Sequence, residues 1–329
     1  MVGNNLRLEE RIQDTPWLII GYSRLEGLLQ LVKLALELEI KNIYIAIDGP
    51  RDLGILEIQK TMHKEVAKLS SVFQNSNIHI NQQPENLGVG IGVTSAIEWF
   101  FCNVDEGIIL EDDLVPNIDF FNFCVLGLDV IRDNSNFLMV CGSQYFGDLS
   151  SGSAFSSSIP QIWGWATTQK KWKAIRRMVF DLSAHLPFMS IKTSFINFWI
   201  VGTHRVFQGK IDTWDIPIVL ACIFYEKKIL LPPVNLVSNM GVDKSSSNTH
   251  ESVFPLEISN HPLPQNFNWR NLDNKEISEL FEKNISSKVY KIRFYHFFSP
   301  LFSIIFDWYR FPRHKRLNPY LERWRQLFS

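Results

Sequence analysis

Three consecutive carboxylates follow an apolar run in this sequence. The run is residues 107–110, and the acids are Glu111, Asp112 and Asp113. Like charges repel, and their burial is costly unless a positive charge compensates it. With no His or Cys beside them, such oxygens suit a hard ion, Mn²⁺ or Mg²⁺, held by one or two carboxylates together with substrate phosphates. Taken alone, the triplet also fits an acidic surface turn or a helix cap.

Short apolar runs alternate with helical patterns along the first half of the chain. The runs at 17–23, 42–50, 77–83, 106–113 and 137–144 predict strands, several of them bounded by Gly, Pro or Asp. The segments between them predict helices at 25–40, 55–72, 117–133 and, after a glycine-bearing loop, within 86–101. This alternation predicts an α/β fold with a mostly parallel central sheet flanked by helices.

The polar residues at the strand ends should share one cleft, because ligands of parallel sheets lie at the carboxyl ends of the strands. The acidic triplet ends the fourth strand. The other candidates at these ends are Tyr22, Ser23, Arg24, Asp48, Asn86 and Gly88.

Composition excludes several classes of protein. Of 329 residues, 46% are hydrophobic and 20% charged, which rules out wholesale disorder, and a net charge of −1 gives no reason to expect a nucleic-acid partner. Four scattered cysteines predict reduced thiols, and the polar N-terminus resembles no signal peptide, so we expect a cytoplasmic protein. The spacing of Gly88, Gly90 and Gly92 is not the GxGxxG of a dinucleotide-binding dehydrogenase.

The tail, residues 288–329, is crowded with aromatic and basic side chains. Two interpretations stay open for it with equal weight. It is a helical cap packed on the domain, or it is a peripheral contact with the inner face of the cytoplasmic membrane, since basic-aromatic amphipathic segments suit an anionic interface.

The stretch IILEDDLVPNIDFF resembles the DXD-type element of GT-A glycosyltransferases, and its Glu-Asp-Asp form is similar to that of N-acetylglucosaminyltransferase I. Four further stretches resemble, in the same order, motifs of bacterial family-2-like nucleotide-diphospho-sugar transferases: IWGWATTQKKWKAI, DTWDIPIVLACI, LLPPVNLVSNMG and NTH. The resemblance implies a GT-A (Rossmann-like) fold with a helical C-terminal extension. It also implies a metal-dependent, inverting glycosyltransferase acting in surface polysaccharide or glycan biosynthesis.

The resemblance implies a role for each matched residue. Asp113 would ligate the metal through the donor diphosphate, Asp112 would lie near the ribose, and Glu111 near the transferred sugar. Asp48 would contact the nucleobase. The remaining donor-binding residues would be Tyr22, Ser23 and Arg24 beside the nucleotide, Asn86 and Gly88 near the phosphates, and Trp163, Gly164 and Trp165 beside the sugar, although one of the two tryptophans could equally be core.

Attack on the anomeric carbon requires a carboxylate that takes the proton of the acceptor hydroxyl. The resemblance implies that Asp215 in DTWDIP is this base, and its other interpretation is a helix cap ahead of Pro217. His250 in NTH would lie near the metal or the diphosphate, with Lys244 as the alternative phosphate contact. The implied partners are a nucleoside-diphosphate sugar, with UDP favoured, and a saccharide or lipid-linked saccharide acceptor.

The domain organisation follows from these motifs. We expect a polar extension at 1–15, a transferase domain at 16–255 with halves 16–145 and 146–255, and a C-terminal extension at 256–329. Two other functions stay open. A sugar nucleotidyltransferase would need a Gly-rich basic loop after the first strand, and GYSRLEG has one Arg. A non-catalytic carbohydrate-binding or scaffold protein on a transferase fold is the other.

Overall fold

The computed structural model describes residues 2–186, 193–242 and 260–289. Lys244, His250 and the greater part of the tail therefore lie outside the described residues, and the interpretations made for them stay predictions. The same holds for the predicted domain bounds.

A single eight-stranded sheet forms the centre of the molecule, in the order β3-β2-β1-β4-β8-β6-β9-β7. Strands β1 to β4 pair in parallel, and β6 pairs in parallel with β9. Only β8 and β7 run against their neighbours in this described sheet. The predicted fold class, a mostly parallel α/β sheet flanked by helices, is therefore confirmed. The strands of this sheet are β1 Trp17–Gly21, β2 Asn42–Ile47, β3 Asn77–Gln82, β4 Glu106–Glu111, β6 Phe137–Cys141, β7 Phe155–Ser157, β8 Trp165–Thr168 and β9 Lys228–Leu231.

A two-stranded antiparallel ribbon stands beside the end of β4. It consists of β5, Leu114–Pro116, and β10, Val237–Asn239. Glu111 ends β4 and β5 begins directly after Asp113, so Asp112 and Asp113 form the turn between the two strands. The helices are α1 Val2–Asp14, α2 Leu25–Glu37, α3 Leu53–Val72, α4 Gly88–Phe101, α5 Ile118–Arg132, α6 Gln169–His185, α7 Ser194–Phe207, α8 Asp215–Phe224 and α9 Lys275–Asn284.

The core consists of two apolar layers, one on each face of the sheet. Alternate residues of each strand point to opposite faces, so that Leu18 and Ile20 join one layer while Trp17 and Ile19 join the other. The first layer packs against α4, α6, α7 and α8, and the second against α2, α3 and α5. Strands from both predicted halves of the transferase domain thus share one sheet and one core.

Three elements differ from the sequence-based expectations. The glycine segment is the first part of α4, which begins at Gly88. The last four residues of IWGWATT form β8, a strand that directly precedes α6. The N-terminal extension forms α1, whose Ile12 is buried and whose Arg11 pairs with Asp129 of α5 at 2.7 Å.

No helix of the described residues is long and apolar enough to cross a membrane. All four cysteines are free thiols, as their spacing predicts, and three of them are buried.

Candidate active site

A pocket of about 390 Å³ lies at the carboxyl ends of β1 to β4. Such a volume is typical of a site for a small molecule. The strand ends that were expected to converge do line it together, and so does the first part of α4. Of the predicted donor-binding residues, eight contribute to its wall: Tyr22, Ser23, Arg24, Asp48, Asn86, Gly88, Glu111 and Asp112.

The positive charge beside the acidic triplet comes from Arg24, at the start of α2. Its guanidinium donates to Asp112 Oδ1 at 3.1 Å and to Asp113 Oδ2 at 3.0 Å. The amide of Tyr22 donates to the other oxygen of Asp112 at 3.0 Å. Both carboxylate oxygens of Asp112 are therefore engaged by protein donors, in a side chain that is almost fully buried.

The Asp48 carboxylate accepts hydrogen bonds mainly from backbone amides. Oδ1 accepts from the amides of Gly49 and Leu87, both at 2.9 Å, and Oδ2 accepts from the amide of Gly88 at 3.1 Å. The side-chain amide of Asn86 also donates to Oδ2, at 3.0 Å. Burial raises the pKa of Asp48, and these amide donors oppose that rise. In this structure Asp48 joins the end of β2 to the start of α4.

Gln59 of α3 is a site residue that the sequence analysis missed. It is fully buried, and its Nε2 donates to the carbonyl of Tyr22 at 3.0 Å and to the carbonyl of Asp48 at 2.9 Å. Its Oε1 accepts from Gln82 Nε2 at 2.7 Å. One side chain thus fixes the ends of three neighbouring strands. A polar residue on an amphipathic helix gives no sequence signal that it faces inward.

The contact of Asp212 with the start of α4 was also not predicted from the sequence. Its carboxylate accepts from the amide of Val89 at 2.9 Å and from the amide of Gly90 at 2.8 Å. The first amides of a helix have no partner within the helix. Asp48 and Asp212 together satisfy four such amides at the start of α4, at residues 87–90, so these donors do not face an open phosphate site here.

Asp215 and Glu111 approach one another from opposite parts of the chain. Asp215 is the first residue of α8 and accepts a hydrogen bond from the Thr213 hydroxyl. Burial, together with the negative charges of Asp113, Asp112 and Asp215, raises the pKa of Glu111 to about 8. Burial also raises the pKa of Asp215, against the hydrogen bond from Thr213. The described residues donate no hydrogen bond to the Glu111 carboxylate.

The segment around Gly164 lies outside the pocket lining. Trp165 is 1% exposed and stacks on Trp214, so that the core interpretation fits this tryptophan. Gly164 has a φ of +69°, and a Cβ there would lie 3.0 Å from Val237 and 3.1 Å from Phe120. The glycine is thus required by backbone conformation and by packing, and ligand approach is not needed to explain it.

Trp163 differs from Trp165 in that it is partly buried. Its ring meets the ring of Tyr145 edge-on, with centroids 5.2 Å apart. The predicted contact of Trp163 with a sugar stays a prediction.

The oxygen donors beside the pocket determine how a divalent ion would fit. Within residues 2–186, 193–242 and 260–289, no group of three or more His, Cys, Asp or Glu side chains could hold a metal. Both carboxylate oxygens of Asp112 already accept hydrogen bonds from the protein, and Asp113 is paired with Arg24. An ion would therefore bind through Asp113 together with phosphate oxygens, which is the arrangement that Mg²⁺ commonly adopts with phosphorylated substrates.

No protein-family model matches the chain. No curated protein matches it either.

Several solved structures are similar at low identity. A UDP-glucose pyrophosphorylase complexed with UDP-glucose has a TM-score of 0.36 and 9% identity, over 67% of this chain and 90% of that one. A UTP-bound UGPase from Acinetobacter baumannii has a TM-score of 0.33 and 9% identity, over 67% and 85%. A putative glucose-1-phosphate thymidylyltransferase from Bacillus anthracis has 0.31 and 12%, over 49% and 74%. These three belong to the nucleotidyltransferase class rather than to the glycosyltransferases, and a likeness at this level assigns no function.

Proposed function

We propose that this chain is a nucleotide-sugar-dependent transferase, and specifically a glycosyltransferase that moves the sugar of a nucleoside-diphosphate donor to a saccharide acceptor. One observation carries the proposal. A pocket at the ends of four parallel strands terminates in Glu111, and a second carboxylate, Asp215, approaches from α8 on the other half of the chain. Donor and acceptor would meet between these two groups.

In this proposal Asp215 is the base that takes the proton of the attacking acceptor hydroxyl. Its raised pKa suits that role, because a general base works best when its pKa lies near the operating pH. Attack from the side opposite the diphosphate inverts the anomeric centre. A divalent ion bound through Asp113 would stabilise the leaving diphosphate. Arg24 would remain beside the same phosphates.

A sugar nucleotidyltransferase is the second candidate, and it is the class of the three solved structures named above. That reaction consumes pyrophosphate and a nucleotide sugar, and it yields a nucleoside triphosphate and a sugar 1-phosphate. A triphosphate calls for several cations. Among the described residues, Arg24 and Arg51 are the basic side chains on the pocket wall, and Arg24 is already paired with two carboxylates. The charge balance therefore favours glycosyl transfer.

One assay separates the two reactions. The full chain is incubated with nucleoside-diphosphate sugars and Mn²⁺, with a panel of saccharide acceptors or with pyrophosphate. Acceptor-dependent release of nucleoside diphosphate supports glycosyl transfer, whereas a nucleoside triphosphate formed only with pyrophosphate supports the second candidate. NMR analysis of the product anomer tests inversion, and retention of configuration would contradict the role given to Asp215.

Asp215→Asn tests the base itself. We expect the rate of transfer to fall about 100-fold or more, as is usual when a general base is lost, with little change in donor affinity. Asp105→Asn is the matched control, because Asp105 is exposed and lies just before the amino end of β4, away from the strand ends that line the pocket. If Asp215→Asn kept the wild-type rate, the base assignment would be wrong.

A further inference from the structure

The floor of the pocket is a row of four residues, one from each of four neighbouring strands. Ile20 of β1 lies beside Ala46 of β2 and beside Glu111 of β4, and Ala46 lies beside Asn81 of β3. All four line the pocket. With strands about 4.8 Å apart, the row spans about 14 Å. It is apolar in the middle, with a carboxylate at one end and a side-chain amide at the other.

The two ends of the row have different chemistry. The Glu111 end is strongly acidic, with Asp112, Asp113 and Asp215 nearby. The Asn81 end carries side-chain amides, because Gln83, the residue that follows β3, also lines the pocket. Neither of these two amide side chains makes a hydrogen bond within the described part of the chain. They are partly buried donors and acceptors that face a cavity.

The Asp48 carboxylate, by contrast, is already hydrogen-bonded within the protein. Its two oxygens accept four hydrogen bonds from residues 49 and 86–88, and they hold the start of α4 in place. A ligand that used Asp48 would have to break these contacts. The amide side chains that are free to bind a ligand at this end of the pocket are therefore those of Asn81 and Gln83.

We propose that Asn81 and Gln83 read the edge of the nucleobase, and that the nucleotide lies along the row with its sugar end at Glu111. This inference rests on the proposed function and assigns its specificity to residues other than Asp48. A side-chain amide presents a donor beside an acceptor, which complements a base edge that does the same. The small side chains of Ala46 and of Ala96 in α4 leave room for the flat ring above the floor.

The rim of the pocket supports this orientation. The guanidinium of Arg51 lies 5.8 Å from the centre of the Tyr22 ring, and its Nε donates to Asn86 Oδ1 at 2.9 Å. All three residues line the pocket, so these contacts hold a planar cation beside an aromatic ring on its wall. Planar cations and aromatic rings both stack on bases.

The test measures direct binding of UDP, dTDP, GDP and ADP to the full chain by calorimetry, with Mn²⁺ present. Asn81→Leu with Gln83→Met removes both amides at nearly constant volume. We expect the affinity for the preferred nucleotide to fall at least about tenfold, the equivalent of about 1.4 kcal/mol, and the four affinities to converge. Asn77→Leu is the matched control, because Asn77 lies on the same strand face at the opposite end of β3.

Asn81→Asp gives an independent readout that a damaged fold would not produce. It keeps the shape of the side chain and replaces the donor with an acceptor. Two adjacent acceptors favour the paired N–H donors of guanine, so the ratio of GDP to UDP affinity should rise several-fold.

The outcomes separate the two proposals. If the double variant kept the wild-type affinities and base order, and Asn81→Asp left the GDP to UDP ratio unchanged, this inference would be overturned while the proposed function stood. If the wild-type chain bound none of the four nucleotides, both would fall.

Discussion

Arg24 pairs with Asp112 and Asp113 and thereby offsets part of the repulsion among the three carboxylates of the acidic triplet. The guanidinium belongs to the residue just before α2, 88 and 89 residues from the two carboxylates with which it forms hydrogen bonds. No neighbour in the sequence indicates this partner. Arg24 donates no hydrogen bond to Glu111, so the charge of Glu111 is the least compensated of the three.

Glu111 gives a pH-dependent prediction. Burial is the main reason that its folded-state pKa, about 8, lies above the ordinary value of 4.5; the charges of Asp113, Asp112 and Asp215 add to the rise, and Arg24 opposes it. The folded chain therefore binds more protons than the unfolded chain between these values, and the unfolding free energy falls as pH rises through that window. Glu111→Gln has no proton to lose, so its stability relative to wild type should increase with pH.

The measurement is Tm from pH 5 to pH 9 in EDTA. The Tm gain of Glu111→Gln over wild type should be larger at pH 8.5 than at pH 5 by at least about 2 °C, taking about 2–4 °C per kcal/mol. The exposed Glu85→Gln is the control and should show a constant difference. A Tm gain of Glu111→Gln that did not change with pH would contradict the prediction.

At the scale of elements, the start of α4 depends on residues that are distant in sequence. Asp48 accepts a hydrogen bond from the amide of Gly88, 40 residues away, and Asp212 accepts one from the amide of Gly90, 122 residues away. Gly88 itself has a φ of +78°, and a Cβ there would lie 2.4 Å from Asp212 Oδ2. Backbone conformation and close approach both require glycine at this position.

Gly88→Ala should therefore destabilise the protein by more than the about 1–2 kcal/mol that left-handed backbone alone costs. Gly147→Ala is the matched control, because Gly147 also has a positive φ, of +63°, with open space around it. The unfolding free energy from urea denaturation measures both variants.

A double-mutant cycle isolates the contact with Asp212. Asp212→Ala removes the cap and should cost about 0.5–2 kcal/mol. In that background the penalty of Gly88→Ala should shrink by about 1 kcal/mol, since residues in contact are not additive. Strictly additive penalties would show that the contact between Gly88 and Asp212 does not govern this position.

Much of the architecture follows from the sequence. The runs predict β1, β2, β4 and β6 to within a few residues, because these strands are buried along most of their length and are bounded by turn residues. β3 is also predicted, although it is partly exposed. The short β8 was missed, because its four residues lead directly into α6 and are too few to show the alternating apolar pattern of a strand. The glycine segment was taken for a loop, because the carboxylates that complete its helical hydrogen bonding lie far along the chain.

The candidate site was predictable in part. Position at a strand end is enough to bring Tyr22, Arg24, Asp48 and Glu111 to one pocket. What each side chain contacts is not, because Asp48, Asp212 and Gln59 are all polar residues that satisfy distant backbone groups. Sequence position indicates which residues meet, whereas the hydrogen bonds decide which of them are free for a ligand.

At the scale of the whole molecule, one sheet joins both halves of the chain. Strand β4 pairs with β1 and with β8, so the acidic triplet lies between segments that begin at residues 17 and 165. Asp215 then approaches from α8. The site is complete only when the whole sheet is formed, and we expect no part of it to work as a separate domain.

The row of floor residues has a consequence for folding kinetics. Neighbouring members of the row are far apart in the sequence: Ile20 and Ala46 are separated by 26 residues, and Ile20 and Glu111 by 91. Contacts between distant residues are costly to form early, because loop closure consumes chain entropy. A nucleotide that lies along the row therefore finds its site only late in folding. Saturating nucleoside diphosphate should slow unfolding in urea while leaving the refolding rate unchanged, with sulfate at equal ionic strength as the control. Faster refolding with unchanged unfolding would mean that the four strand ends meet before the rest of the protein is formed.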